Sequence, residues 1–141
     1  MDISLNLIER FDNLTFQNLI FLEYLNLSFN HLEFLESSLF HTLYNLVELD
    51  LSFNRINLIN VNLFLNSYNL RDLFLVQNPI YDLNQIGNLS SIKNIQISTD
   101  IFQSYENILN LVKSFKPRLF KSTTSMYYES INIIYLNKTY T

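Results

Sequence analysis

Apolar residues return in phase along this chain. Leu22, Leu25, Leu27, Leu32, Leu35, Leu39 and Phe40 are followed 24 positions later by Leu46, Leu49, Leu51, Ile56, Ile59, Leu63 and Phe64. Residues 22–45 and 46–69 share ten identities in 24 positions, including all of Leu-Ser-Phe-Asn at 27–30 and 51–54. A third copy starts at Leu70, shortened to 22 residues, and a further strand-like segment follows at 92–97. Stepping back by 24 from Leu27, Asn30 and Phe40 reaches Ile3, Asn6 and Phe16, so a partial copy opens the chain. Self-similarity at this period is the mark of stacked structural units rather than of one globular core.

Each copy contains one short stretch of alternation. In Leu25-Asn26-Leu27 the period is two, which predicts a half-buried strand. Leu25 and Leu27 then point inward, and Tyr24, Asn26 and Ser28 outward. The matching outward columns are Glu48, Asp50, Ser52; Asp72, Phe74, Val76; and Asn94, Gln96, Ser98, with Asp2 and Ser4 at the first copy. One strand per copy stacks into a parallel sheet. The turn after each strand carries Asn30, Asn54 or Asn78. An amide offers two donors and an acceptor, enough to satisfy backbone groups that the turn would otherwise bury unpaired. These asparagines, with Asn6 before them, are expected to form a structural ladder.

Beyond the fourth strand the period changes. Ile101, Tyr105, Ile108, Leu109, Val112 and Phe115 recur at helical spacing, Asp100 is a good N-cap, and Pro117 is a stop. Asp100 stands where the ladder asparagine would be and lacks its donors, so the ladder is expected to end there. The pattern predicts a helix over 101–116 closing the end of the core, a loop over Ser122–Ser125, and a short strand over Ile131–Leu136 packed beside that helix.

The common frame is LxxLxLxxNxLxxL over roughly residues 1–100, and it resembles the leucine-rich repeat family. Residues 22–45 and 46–69 resemble its 24-residue subclass, with Phe16, Phe40 and Phe64 stacked on the far side. Residues 70–91 resemble the 22-residue subclass, with Ile80, Leu83, Ile86 and Leu89 at three-residue spacing. The resemblance implies an α/β fold: a right-handed leucine-rich repeat solenoid, a horseshoe segment with its parallel sheet on the concave face and a C-terminal capping helix. The implied units are 1–21 (partial), 22–45, 46–69, 70–91 and a last strand in 92–100, then a cap and tail over 101–141. The family often closes with a cysteine-rich flank near Asn-Pro. Asn78-Pro79 is present, but the cysteines are not. Because the first copy begins inside a repeat, the chain reads as truncated at the N-terminus, a fragment of a longer protein, or else as covered there by a partner.

Composition narrows the function classes. The chain holds 26 Leu, 20 Asn, one Gly and no Cys. That excludes disulfides, thiolate chemistry and glycine-rich phosphate loops. Residues 1–91 carry ten acids and three bases, against three acids and six bases in 92–141. The acidic balance argues against nucleic acid, which needs a basic footprint. The bases Lys113, Lys116, Arg118 and Lys121 suit the C-terminal end of the expected helix. There is no run of 18 apolar residues, so no membrane span is expected in this segment, and the start does not read as a secretory signal. No cofactor is expected, and no metal site.

Catalytic candidates are few. His31 and His41 have no triad spacing and read as surface histidines. Glu33 and Glu36 read as a solvated face, so the chain is not read as an enzyme. Sequons occur at Asn13, Asn26, Asn88 and Asn137. Asn13 and Asn88 are the candidate glycosylation sites, and glycan occupancy there would separate an extracellular from a cytoplasmic chain.

What remains is the outward face of the sheet. Tyr24, Asn26, Glu48, Asp50, Asp72, Phe74 and Gln96 are the candidate partner-binding residues. Aromatics supply rigid contact area, and acids supply steering toward a partner with a basic surface. Phe74 and Val76 are apolar on a face expected to meet water, which points to a covering element. The C-terminal tail is one candidate for that cover. The resemblance implies protein–protein recognition through this concave face. The alternative is a fragment of the ectodomain of a leucine-rich repeat receptor or adhesion protein.

Overall fold

The computed structural model describes residues 1–60, 62–80 and 92–98, together with the strand at 132–136. Five strands lie in chain order in one sheet: β1 (Tyr24–Asn26), β2 (Glu48–Asp50), β3 (Asp72–Leu75), β4 (Asn94–Ser98) and β5 (Asn132–Leu136). All four pairings are parallel. Asp2 adds a parallel bridge to Asn26 at the β1 edge. The register is in phase with the repeat: Tyr24 pairs with Glu48, Glu48 with Asp72, and Asp72 with Asn94.

Parallel neighbours need a crossover between them. Here the crossovers from β1 to β2 and from β2 to β3 are chains of tight turns. In residues 36–46 the amides of Leu39, His41, Leu43 and Leu46 each bond the carbonyl three residues back, and Leu63, Leu65, Ser67 and Leu70 repeat the pattern 24 residues later. The return path is irregular, and no described residue is helical. The rings expected on this side do stack. Phe16 and Phe40 lie 6.1 Å apart and Phe40 and Phe64 6.3 Å apart, all three buried. Bulky rings hold open the wide side of each unit, which an irregular backbone alone leaves underfilled.

Between sheet and return path lies the core. Leu25, Leu27, Leu32, Leu35, Leu49, Leu51, Ile56, Ile59, Leu73 and Ile95 are all buried, as the inward phase predicts. In the first copy the equivalent layer of Ile3, Ile8, Phe11 and Leu19 is only half-buried and packs against this core from one side.

Two expectations change and others fall outside the described residues. The strand near the C-terminus exists, but it adds to the sheet beside β4, with Asn94 paired to Asn132 and Ser98 to Leu136. It therefore extends the sheet sideways and does not lie over Phe74 on β3. The strand alternation also stops sooner than the outward columns assumed. Ser28, Ser52 and Val76 are buried. Strand geometry has already given way there, because the next residues (Phe29, Phe53 and Gln77) have φ of 53°, 55° and 56°. A left-handed residue turns the chain, so period two no longer says which way a side chain faces. The helix over 101–116, the loop over Ser122–Ser125, Asp100 and the residues Leu83, Ile86 and Leu89 lie outside the described residues.

Candidate functional site

The asparagine ladder is built as its chemistry suggests. Asn54 Nδ2 donates to the carbonyls of Leu51 and Ser52 in its own turn, at 3.0 and 3.3 Å, and to Leu27 of the preceding unit at 3.0 Å. Its Oδ1 accepts the Leu32 amide at 3.0 Å. Asn30 and Asn78 repeat this set with Ile3, Leu27, Ser28 and Ile8, and with Leu51, Leu75, Val76 and Ile56. Among the described residues Asn6 bonds locally, to Ile3 and Ser4, and it is exposed. The inner three are buried, so each couples two units through groups that water cannot reach.

A second periodic device was hidden among the remaining asparagines, which composition alone makes look like surface background. Asn45 Nδ2 donates to the Ile20 carbonyl at 2.8 Å, and Asn69 Nδ2 to the Tyr44 carbonyl at 2.9 Å. They tie neighbouring return paths together. The signal was present in the repeated Tyr-Asn at 44–45 and 68–69.

The open face of the sheet places the candidate residues in two rows. One runs Tyr24, Glu48, Asp72, Asn94; the other runs Asp2, Asn26, Asp50, Phe74, Gln96. Glu48 and Asp72 are direct neighbours, Asp50 is one row over, and Phe74 sits beside Asp50. Neighbouring strands are about 4.8 Å apart, so like charges meet across β2 and β3. Tyr24 is 54% exposed, whereas Glu48, Asp50, Asp72, Phe74 and Gln96 are half-buried.

Some of these side chains also hold their own backbone. Asp2 Oδ1 accepts the Ser4 amide at 2.9 Å, Asn26 Oδ1 the Ser28 amide at 3.0 Å, and Asp50 Oδ1 the Ser52 amide at 2.8 Å. These are Asx turns recurring with the repeat. The Ser4 amide bond holds the Asp2 carboxyl below the ordinary aspartate range. Asp72 accepts from Asn94 Nδ2. Each acid keeps acceptor capacity, but Asn26 and Asp50 are half-buried and also serve their own backbone.

Of the other candidates, Asn13 is exposed at a turn closed by the Thr15 amide on the Asp12 carbonyl. Asn88 and Asn137 lie outside the described residues. His41 is exposed, but His31 is half-buried in a groove rather than on open surface. Glu33 and Glu36 are exposed, and Glu33 reaches Arg55 at 4.0 Å. Among the described residues no group of three or more His, Cys, Asp or Glu could hold a metal ion, and no helix is long and apolar enough to cross a membrane.

The groove was not anticipated. It has a volume of about 590 Å³ and runs along the turns that follow the first three strand positions. It is shallow and open, and it is lined by Leu5, Phe29, Phe53 and Gln77, by Leu7, His31 and Arg55, and by the ladder residues Asn6, Asn30 and Asn54. Phe29 and Phe53 stack at 4.2 Å with planes 7° apart, and they are 47% and 43% exposed. Leu5, Phe29, Phe53 and Gln77 are the described non-glycine residues with positive φ. Holding such residues there costs of order 1–3 kcal/mol each. The ring stack returns about 0.5–1.5 kcal/mol. The repeated Leu-Ser-Phe-Asn string carried the signal, but strand alternation does not reveal which rings share an edge.

A 24-residue repeat, a parallel sheet in chain order and a buried asparagine ladder are now all in view. Residues 20–80 match the family described as Leucine rich repeat. No curated protein matches the chain. The matched stretch covers β1, β2, β3 and the ladder residues Asn30, Asn54 and Asn78. Leucine-rich repeats generally serve as protein-interaction modules.

Proposed function

We propose that the chain is a protein-recognition module that receives a basic partner surface on the open face of its leucine-rich repeat sheet. The supporting observation is the in-register meeting of Glu48 and Asp72, with Asp50 one row away. Three acids on adjacent strands repel one another in the free protein, and a cationic partner relieves that repulsion. Tyr24 and Phe74 flank the acids as apolar anchors, and Asn26 and Gln96 extend the polar contact. In this reading 22–45, 46–69 and 70–91 are the repeats, 1–21 is a partial one, 92–100 carries the β4 strand, and 101–141 forms the cap and tail. β5 extends the same sheet, and in this reading its strand continues the recognition layer beyond β4.

A second reading, part of a receptor or adhesion ectodomain, draws on the exposed Asn13 at its turn, where a glycan has room. Both readings place the partner on the same face.

The test is a selection of displayed peptides on the wild-type chain, followed by kinetics on Glu48→Gln/Asp50→Asn/Asp72→Asn. These amides keep the acceptors that the Asx turn and Asn94 use, so charge is removed without the backbone contact. Lys- and Arg-rich peptides are expected to dominate. Their association should slow about tenfold in the triple variant and lose most of its salt dependence. Acidic or neutral winners, or winners indifferent to the triple variant, would sink the reading.

A further inference from the structure

We infer that the groove along the turn edge is a second binding site, separate from the open face, for an extended peptide carrying an apolar side chain followed by a carboxylate. The geometry sets the length. Leu5 to Phe53 spans two repeat steps, about 10 Å at the spacing of neighbouring strands. That is the reach of about three extended residues. The chemistry of the walls sets the composition. Phe29 and Phe53 present one continuous stacked surface, nearly half exposed, with Leu5 beside them. Arg55 also lines the groove, and no acid does. The Arg55 contact with Glu33, at 4.0 Å and with both side chains more than half exposed, is too loose to occupy the guanidinium. Guanidinium pairs well with a carboxylate, and His31, also in the lining, adds a ring donor.

The residue choice at the wall supports a use beyond folding. Left-handed positions favour Gly and Asn. The chain has 20 asparagines, yet none occupies Leu5, Phe29, Phe53 or Gln77, where the backbone is left-handed. Aromatic rings held there against backbone preference are what a binding wall requires, and what a turn selected for stability alone does not.

The experiment titrates the full chain with acetyl-Ser-Phe-Asp-Ser-amide, followed by side-chain NMR and thermal unfolding, with Asn and Lys versions of the same peptide as controls. The Asp peptide should give saturable shifts at Leu5, Leu7, Phe29 and Phe53, and bind about tenfold more tightly than the Lys peptide. Phe29→Asn/Phe53→Asn should abolish binding while the melting temperature holds or rises, because Asn suits both positions. Arg55→Gln should weaken the Asp peptide and leave the Asn peptide unchanged, which keeps the test valid if the double variant misfolds. Glu48→Gln/Asp50→Asn/Asp72→Asn should leave this binding intact, so failure here is distinct from failure of the open-face reading. The inference is overturned if shifts fail to saturate or spread away from the groove. It is equally overturned if the Lys peptide binds as tightly, if Arg55→Gln has no effect, or if the folded double variant melts lower and still binds.

Discussion

Asn54 shows how one side chain can carry a fold. It serves four backbone groups, three of them carbonyls, across two units, and it is buried. Truncation leaves buried polar groups unsatisfied, each costing about 1–3 kcal/mol where no water can enter. Asn54→Ala is therefore expected to lower the unfolding free energy by about 3 kcal/mol. Asn69→Ala removes one exposed bond and should cost under about 1 kcal/mol. Denaturant unfolding of the two variants checks the contrast, and equal losses would contradict the distinction between the inner ladder and the outer one. The inner ladder was legible in the sequence because Asn30, Asn54 and Asn78 follow a strand pattern. Asn45 and Asn69 were harder to see, since a polar residue on an irregular path has no periodic rule to assign it a partner.

At the scale of elements, the strands are short and the returns carry much of the packing. β1 and β2 have three residues each, too few to be stable alone. They are held by Leu25, Leu49 and Leu73 beneath them and by the phenylalanine stack on the far side. Phe40 sits between Phe16 and Phe64, so its loss opens a cavity bordered by two units. Phe40→Ala is expected to cost about 3–5 kcal/mol. A thermal shift typical of a surface substitution would show instead that the return path collapses to fill the gap. The strands and the phenylalanine column followed from the periodicity. The end of each strand did not, because it depends on the left-handed residues at Phe29, Phe53 and Gln77. No apolar pattern marks a Phe in that conformation, and the burial of Ser28, Ser52 and Val76 follows from it.

For the whole molecule, the bonds run between adjacent units. The Leu27 amide reaches Asp50, the Leu51 amide reaches Phe74, and Ile3 reaches Asn26. Stability in such an array is a sum over units and their shared interfaces. Unit 46–69 has a packed neighbour on each side, whereas Ile3 lies in a layer packed from one side. Native-state hydrogen exchange should therefore find the Leu51 amide protected well beyond those of Ile3 and Leu5. Uniform protection along the sheet would mean that the array opens as one block. The same architecture separates two surfaces, an acidic sheet face and an aromatic groove along the turns, so binding at one need not block the other.

By itself the sequence determined the repeat, the inward lattice of leucines, the strand phase and the inner ladder. All four are local patterns translated by a fixed step, and translation preserves what each position does. Tertiary structure decided the rest. It brought β5 into the sheet beside β4, a pairing set by contacts between residues distant in sequence rather than by period. It set Glu48 against Asp72 and Phe29 against Phe53, because register between units makes neighbours of residues 24 apart. It also brought His31 and Arg55 into one groove with Phe29 and Phe53, since only the stacking of successive turns makes these residues line a common surface.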